Sequence, residues 1–239
     1  MSDALSEEAF VRAFTECRDF PHKWPDRLSL SEVDTGEGIP DLILVRLRGK
    51  TSQETAQALM ALPAGPFLNG SGAVLAELQR RPHTLDYLMR RTGLSIEHVR
   101  RSLALLCRLR WATQTERGLF LRSSDASIPD FEITAFEFKL KDVQRALQQA
   151  IRYQQFAHSA IVVLPGERET SLRGVSNLVR RATLGSATFD VTTCKVRYCV
   201  RPRICSPRSS HAYMHVVGRL IQHMESGDRT AGRRFPRRQ

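Results

Sequence analysis

No apolar run in this chain approaches the roughly 18 residues needed to cross a membrane. Its first residues, MSDALSEEAF, are acidic where a secretory signal would be apolar. These two absences lead to the expectation of a cytoplasmic protein, nucleoid-associated in a bacterial-type cytosol, with no membrane partner. The five cysteines are an odd number without a CxxC pair, which argues for reduced thiols. Cys194, Cys199, Cys205 and His211 are separated by four, five and five residues, a spacing that matches no common zinc site. There is no P-loop, no GxGxxG after a strand and no Ser-His-Asp arrangement, so NTP hydrolysis, dinucleotide binding and acyl transfer have no support. Acidic residues are also scarce. Against 25 Asp and Glu stand 36 Lys and Arg, a formal net charge of +11. That excess points to a polyanionic partner, with nucleic acid ahead of a membrane because no strongly apolar amphipathic anchor accompanies it.

Hydrophobic content of 41% and charged content of 26% describe a globular chain, and 239 residues allow one large domain or two modest ones. Residues 6–20 read as a helix with Ser6 as N-cap, broken by Pro21 and Pro25. A strand at 41–47 and a helix near 52–62 follow, ending at the breaker Pro63-Ala-Gly-Pro66. From Asn69 the pattern changes. Helices are predicted at 73–81, at 84–93 with Thr84 as cap and Gly93 as stop, and at 95–112 with Ser95 as cap. A hairpin turns at Arg117-Gly118 within 113–122. Three helices and a hairpin resemble a winged helix-turn-helix. Residues 69–122 hold ten Arg against four acidic residues, and His98, Arg100 and Arg101 on the third helix with Arg117 in the wing are the expected DNA contacts.

The α/β pattern then resumes with a strand at 132–140, a helix at 142–158, a continuous apolar strand at 159–165, a helix at 177–185, and strands at 189–193 and 195–200. A helix at 211–224 turns Tyr213, Val216, Val217, Leu220 and Met224 inward, and either packs within the chain or serves as one candidate dimer interface. The final eleven residues hold five arginines and no acid, and read as a disordered basic tail. The expected division is a core in two parts (1–66 and 126–225), an inserted winged helix (67–125) and the tail (226–239).

Two segments carry the chemistry. In EITAFEFKL (132–140) a period of two puts Ile133, Ala135, Glu137 and Lys139 on one face and Thr134, Phe136 and Phe138 on the other. Ionisable groups on a strand backed by aromatics ask for a role beyond solvation. With Asp41 of EGIPDLILV (37–45) they give two carboxylates and a lysine, the groups that a metal-assisted phosphodiester hydrolase uses to hold a hard cation and to place or deprotonate water.

GIPDLIL, then EFK on the next core strand, then a helix with QxxxY (Gln149 and Tyr153), resembles the PD-(D/E)XK nuclease superfamily, which includes restriction endonucleases and archaeal-type Holliday-junction resolvases. The resemblance covers residues 1–48 and about 130–200. It implies an α/β, restriction endonuclease-like core with a mixed central sheet flanked by helices. It implies Asp41, Glu137 and the Phe138 carbonyl as ligands of Mg²⁺ or Mn²⁺, Lys139 as the residue that orients or activates water, and in-line hydrolysis leaving a 5′-phosphate. Glu7 on the first helix joins the site, with Glu8 as the alternative. Gln149 and Tyr153 brace the catalytic residues or contact DNA, and Lys141 and Arg145 flank the scissile strand. The function expected is therefore a metal-dependent DNA endonuclease acting on duplex or branched DNA, possible as a homodimer since two strands need two sites. The other readings are a non-catalytic DNA-binding scaffold that retains the fold, and an RNA-directed protein. Compact relatives join the Asp strand to the ExK strand by a short hairpin; here roughly 80 residues intervene.

Overall fold

The computed structural model describes residues 6–17, 27–124 and 126–226. The Pro21–Pro25 break and nearly all of the basic tail lie outside them. In chain order the elements are α1 (Glu7–Glu16), β1 (Leu28–Leu30), β2 (Leu42–Leu47), α2 (Ser52–Met60), α3 (Ser71–Glu77), α4 (Leu85–Thr92), α5 (Ile96–Arg108), β3 (Ala112–Gln114), β4 (Phe120–Arg122), β5 (Phe131–Phe138), α6 (Val143–Tyr153), β6 (Ser159–Pro165), α7 (Glu169–Gly174), α8 (Ser176–Arg181), β7 (Gly185–Asp190), β8 (Lys195–Val200) and α9 (Ser210–Glu225). Two short 3₁₀ turns, Gly65–Phe67 and Gly166–Arg168, complete them. The chain divides into two compact units, the first drawn from 1–56 and 131–208, the second from 57–130 and 209–228.

The first unit is a mixed six-stranded sheet in the order β1-β2-β5-β6-β7-β8, flanked by helices. β5, β6 and β7 run parallel, and the outer pairs are antiparallel. Burial on both faces explains why SAIVVLP carries no polar alternation: all seven residues of β6 are buried, as are all eight of β5. On one face Phe10 and Phe14 of α1 pack against Phe136, Phe138 and Phe189. The Phe14–Phe138 and Phe14–Phe189 rings meet edge-on, with centroids 4.8 and 5.1 Å apart. Farther along that face Glu132 is buried between Arg27 and Arg46, a cross-strand pair in the case of Arg46. Alternation turns Glu137 to the opposite face, where α6 lies.

The second unit holds α3, α4, α5, the β3–β4 hairpin and α9. The caps form as the sequence implies. Thr84 accepts from the Tyr87 N–H, Ser95 from the His98 N–H, and Gly93 closes α4 at φ 69°. α3 stops at Glu77, short of Pro82, and α5 stops at Arg108, because Arg110 turns to φ 59° and the chain starts β3 at Ala112. α9 groups with this unit rather than with the C-terminal part of the first. Its Gly218 lets Phe67 and Leu68 approach so closely that a Cβ would lie 2.7 Å from that of Phe67. Val216, Val217, Leu220 and Ile221 are buried, whereas Tyr213 and Met224 are only half-buried.

Two stretches of the first unit differ from expectation. The residues read as one helix over 177–185 divide into the short α8 and the start of β7, and the strand expected at 189–193 lies earlier, at 185–190. Asp190 is the reason. Its carboxylate accepts from the N–H groups of Thr192 and Thr193 and turns the β-branched residues out of the sheet. α6 ends at Tyr153 rather than His158.

Candidate active site

β2 and β5 are neighbours in the sheet despite the residues between them in sequence, with Leu42 opposite Phe136. Extending that antiparallel register by one residue sets Asp41, just before β2, across from Glu137. Asp41 is held there by the Phe138 N–H, which donates to its Oδ2 at 2.7 Å. Lys139, one residue past β5, has its Nζ 3.1 Å from Glu137 Oε1 and 3.0 Å from Glu7 Oε2. Glu7 reaches this position from the first turn of α1, whose Ser6 N-cap and buried Phe10 and Phe14 fix the helix's rotation. Glu8 is exposed beside it.

The second oxygen of Glu137 is engaged from α6. The buried Tyr153 hydroxyl donates to Oε2 at 2.6 Å and lies 3.3 Å from the Ile39 carbonyl. Gly38, at φ 141°, makes room for that ring, since a Cβ would sit 3.1 Å from Tyr153 Cε1. Gln149, one turn earlier, is a hydrogen-bonding neighbour of the Tyr153 hydroxyl. Its own Oε1 is buried without a hydrogen-bond partner.

The electrostatics follow from burial. Desolvation raises the pKa of Asp41, offset in part by the Phe138 N–H and by Lys139. Desolvation also raises Glu137, and the Asp41 charge adds to it. Burial works against the Lys139 ammonium, but Glu7, Glu137 and Asp41 together outweigh it, so its pKa is raised. Burial, then the Glu137 carboxylate, raises the Tyr153 phenol, which therefore stays protonated as a donor.

Among the described residues no group of three or more His, Cys, Asp or Glu side chains is arranged to hold a metal ion. A hard cation asks for less. Mg²⁺ keeps several waters and is commonly held through one or two carboxylates. Asp41 and Glu137 are such a pair, all oxygen, mutually repelling and unfavourably buried as anions, and each carboxylate oxygen has a second lone pair beyond the bonds described. Their donor chemistry is of the kind a hard divalent cation accepts, and the Gln149 Oε1 is an acceptor still lacking its donor.

A scan against protein-family models matches none, and searches of curated proteins and of solved structures give no match.

The remaining expected residues fall as follows. Lys141 and Arg145 are exposed at the start of α6, where the Asp142 side chain accepts from the Arg145 N–H. Arg100, Arg101 and Arg117 are exposed in the second unit. His98 is engaged structurally, with Nε2 2.9 Å from the Asn69 carbonyl at a corner where Asn69 and Gly70 both have positive φ. Two contributors escape a sequence reading. One is the Phe138 N–H, a backbone group that positions Asp41. The other is the role of the Gly38–Ile39 turn behind Tyr153, for which the Gly-Ile-Pro run at 38–40 was the available signal.

Proposed function

We propose that this protein is a divalent-cation-dependent DNA endonuclease of the PD-(D/E)XK kind, with a restriction endonuclease-like first unit. One observation carries the reading: Lys139 is ion-paired to both Glu7 and Glu137 beside Asp41, which the ExK strand's own backbone holds. Four ionisable side chains from three separate elements, two of them carboxyls under a desolvation penalty, make a costly arrangement for a purely structural purpose.

In this reading Asp41 and Glu137, with the Phe138 carbonyl, would hold Mg²⁺ or Mn²⁺. When bound, the cation supplies Lewis-acid polarisation of the phosphoryl group. Lys139 orients the attacking water and offsets negative charge developing on the phosphoryl oxygens. Glu7 fixes the ammonium from the open side. Tyr153 keeps Glu137 in one orientation, and Gln149 offers its unpartnered carbonyl to a water or to a substrate donor. In the second unit, α4 and α5 with the β3–β4 hairpin have the element order of a winged helix-turn-helix. Exposed Arg100, Arg101 and Arg117 suit contacts to the DNA backbone.

The test is cleavage of supercoiled plasmid and of branched DNA with Mg²⁺ or Mn²⁺, comparing wild type with Asp41→Ala. Cleavage by wild type alone, with binding retained by the variant, supports the reading. Tight binding without cleavage by either protein leaves a DNA-binding scaffold, and a clear preference for RNA in competition overturns the substrate.

A further inference from the structure

Gln154 follows Tyr153 directly and is buried, yet it serves a different part of the first unit. Its Nε2 donates to the Ala182 carbonyl at 2.6 Å and to Thr183 Oγ1 at 3.0 Å, tying the end of α8 to the end of α6. Its backbone carbonyl accepts the Arg208 N–H at 3.0 Å. The segment leading to Arg208 is stapled alongside. The Cys205 N–H donates to the His158 carbonyl at 2.9 Å, and the Ser159 hydroxyl to the Arg203 carbonyl at 3.1 Å. Pro202 seats on Gly185, where a Cβ would come within 2.8 Å of the proline ring.

These ties bring together the three chain segments that carry Arg152, Arg180 and Arg181, and Arg203 and Arg208, next to Gln154 and the start of β6. All five are exposed, and none enters the ion pairs formed among the described residues. No acidic residue occurs from 191 to 208 to neutralise them. Like charges held together by backbone bonds raise the local potential, which an anion relieves. All five are arginine, whose planar fork matches phosphate oxygens two at a time.

We propose that this ridge is a binding surface for a phosphodiester backbone, carried by the first unit in addition to the arginines of α5. It rests on the proposed function only in taking nucleic acid as the partner, and its test needs no cleavage.

The experiment is a fluorescence-anisotropy titration of the full chain with labelled duplex and single-stranded DNA across a KCl series. Wild type is compared with an Arg180→Ser, Arg203→Ser, Arg208→Ser variant and with an Arg100→Ser, Arg101→Ser variant. For duplex, each lost phosphate contact should flatten the slope of log K against log salt by about 0.9, so the triple variant should lose roughly 2–3 units of slope. Its Kd should rise at least about tenfold near 0.1 M salt. The single-stranded arm shows which form of the backbone the ridge prefers. If the triple variant melts early, Arg203→Ser and Arg208→Ser singly should each remove about one unit of slope. Unchanged Kd and slope in folded variants would overturn the proposal. So would unchanged DNA binding with a loss only in a parallel titration against phosphatidylserine vesicles. A chain that never cleaves DNA but loses affinity in the triple variant would sink the nuclease reading and leave this one standing.

Discussion

The Tyr153 hydroxyl donates to Glu137 Oε2 at 2.6 Å, so a residue at the end of α6 sets the orientation of a carboxylate on β5. Both groups are buried. Removing the donor leaves a desolvated carboxylate short of one bond. Tyr153→Phe should therefore lower stability by about 1–3 kcal/mol. On the nuclease reading it should also reduce kcat about 10- to 100-fold with little change in KM, because positioning acts on the chemical step. Chemical denaturation and steady-state cleavage measure the two effects separately. A stability loss with unchanged kcat would reduce Tyr153 to a packing residue.

Asp41 and Glu137 have pKa values raised by burial, so their ionisation costs the fold stability. The sign follows from linkage. The penalty is absent at pH below the ordinary carboxylate range, near 4, and is fully present once pH exceeds the raised folded values. Asp41→Asn should thus melt above wild type at pH 8 in chelator, with the gap closing as pH falls toward about 4. Each kcal/mol recovered is worth about 2–4 °C in a chain of this size. Adding Mg²⁺ should raise the melting temperature of wild type and not that of the variant. A variant that melts no higher than wild type at pH 8 would contradict this account of the site.

Much of this was legible in the sequence, for identifiable reasons. The alternation in EITAFEFKL separates the aromatic face from the Glu137 face, and SAIVVLP has the continuous apolar run typical of a strand buried on both sides. Thr84, Ser95 and Gly93 announce their helix ends through capping chemistry that is local. Less legible was whatever depends on a distant partner. GSATFD becomes a strand because β6 lies beside it, while the better strand formers that follow are captured by the Asp190 carboxylate. α9 shows an apolar face in sequence, but nothing there says that Phe67 and Leu68 will cover it. Gln154 reads as one more polar residue until its three partners are in place.

Phe14 meets the rings of Phe136, Phe138 and Phe189 and is fully buried. Phe14→Ala should cost about 3–5 kcal/mol. Because the same helix carries Glu7, a milder Phe14→Leu should loosen the Glu7–Lys139 pair before it unfolds the chain. Hydrogen exchange over α1 would register this, and unchanged protection there would contradict it.

Glu132 is buried between the guanidiniums of Arg27 and Arg46. Glu132→Ala removes the carboxylate that both guanidiniums share, leaving Arg27 its bond to Thr134, and should cost about 3–5 kcal/mol. Glu132→Gln, which keeps the shape and an acceptor, should cost less. Equal denaturation midpoints for Glu132→Ala and wild type would mean that the cluster adds nothing to the fold.

The proposed function requires Asp41, Glu137 and Lys139 to act as one hydrolytic centre. Its most direct test is single-turnover cleavage of end-labelled duplex and four-way-junction DNA in Mg²⁺, with product ends identified. Wild type is compared with Glu137→Gln and Lys139→Ala at matched DNA occupancy. Wild type should give 5′-phosphate products, and both variants should cleave at least about 100-fold more slowly with binding retained. Equal rates in all three proteins would contradict it.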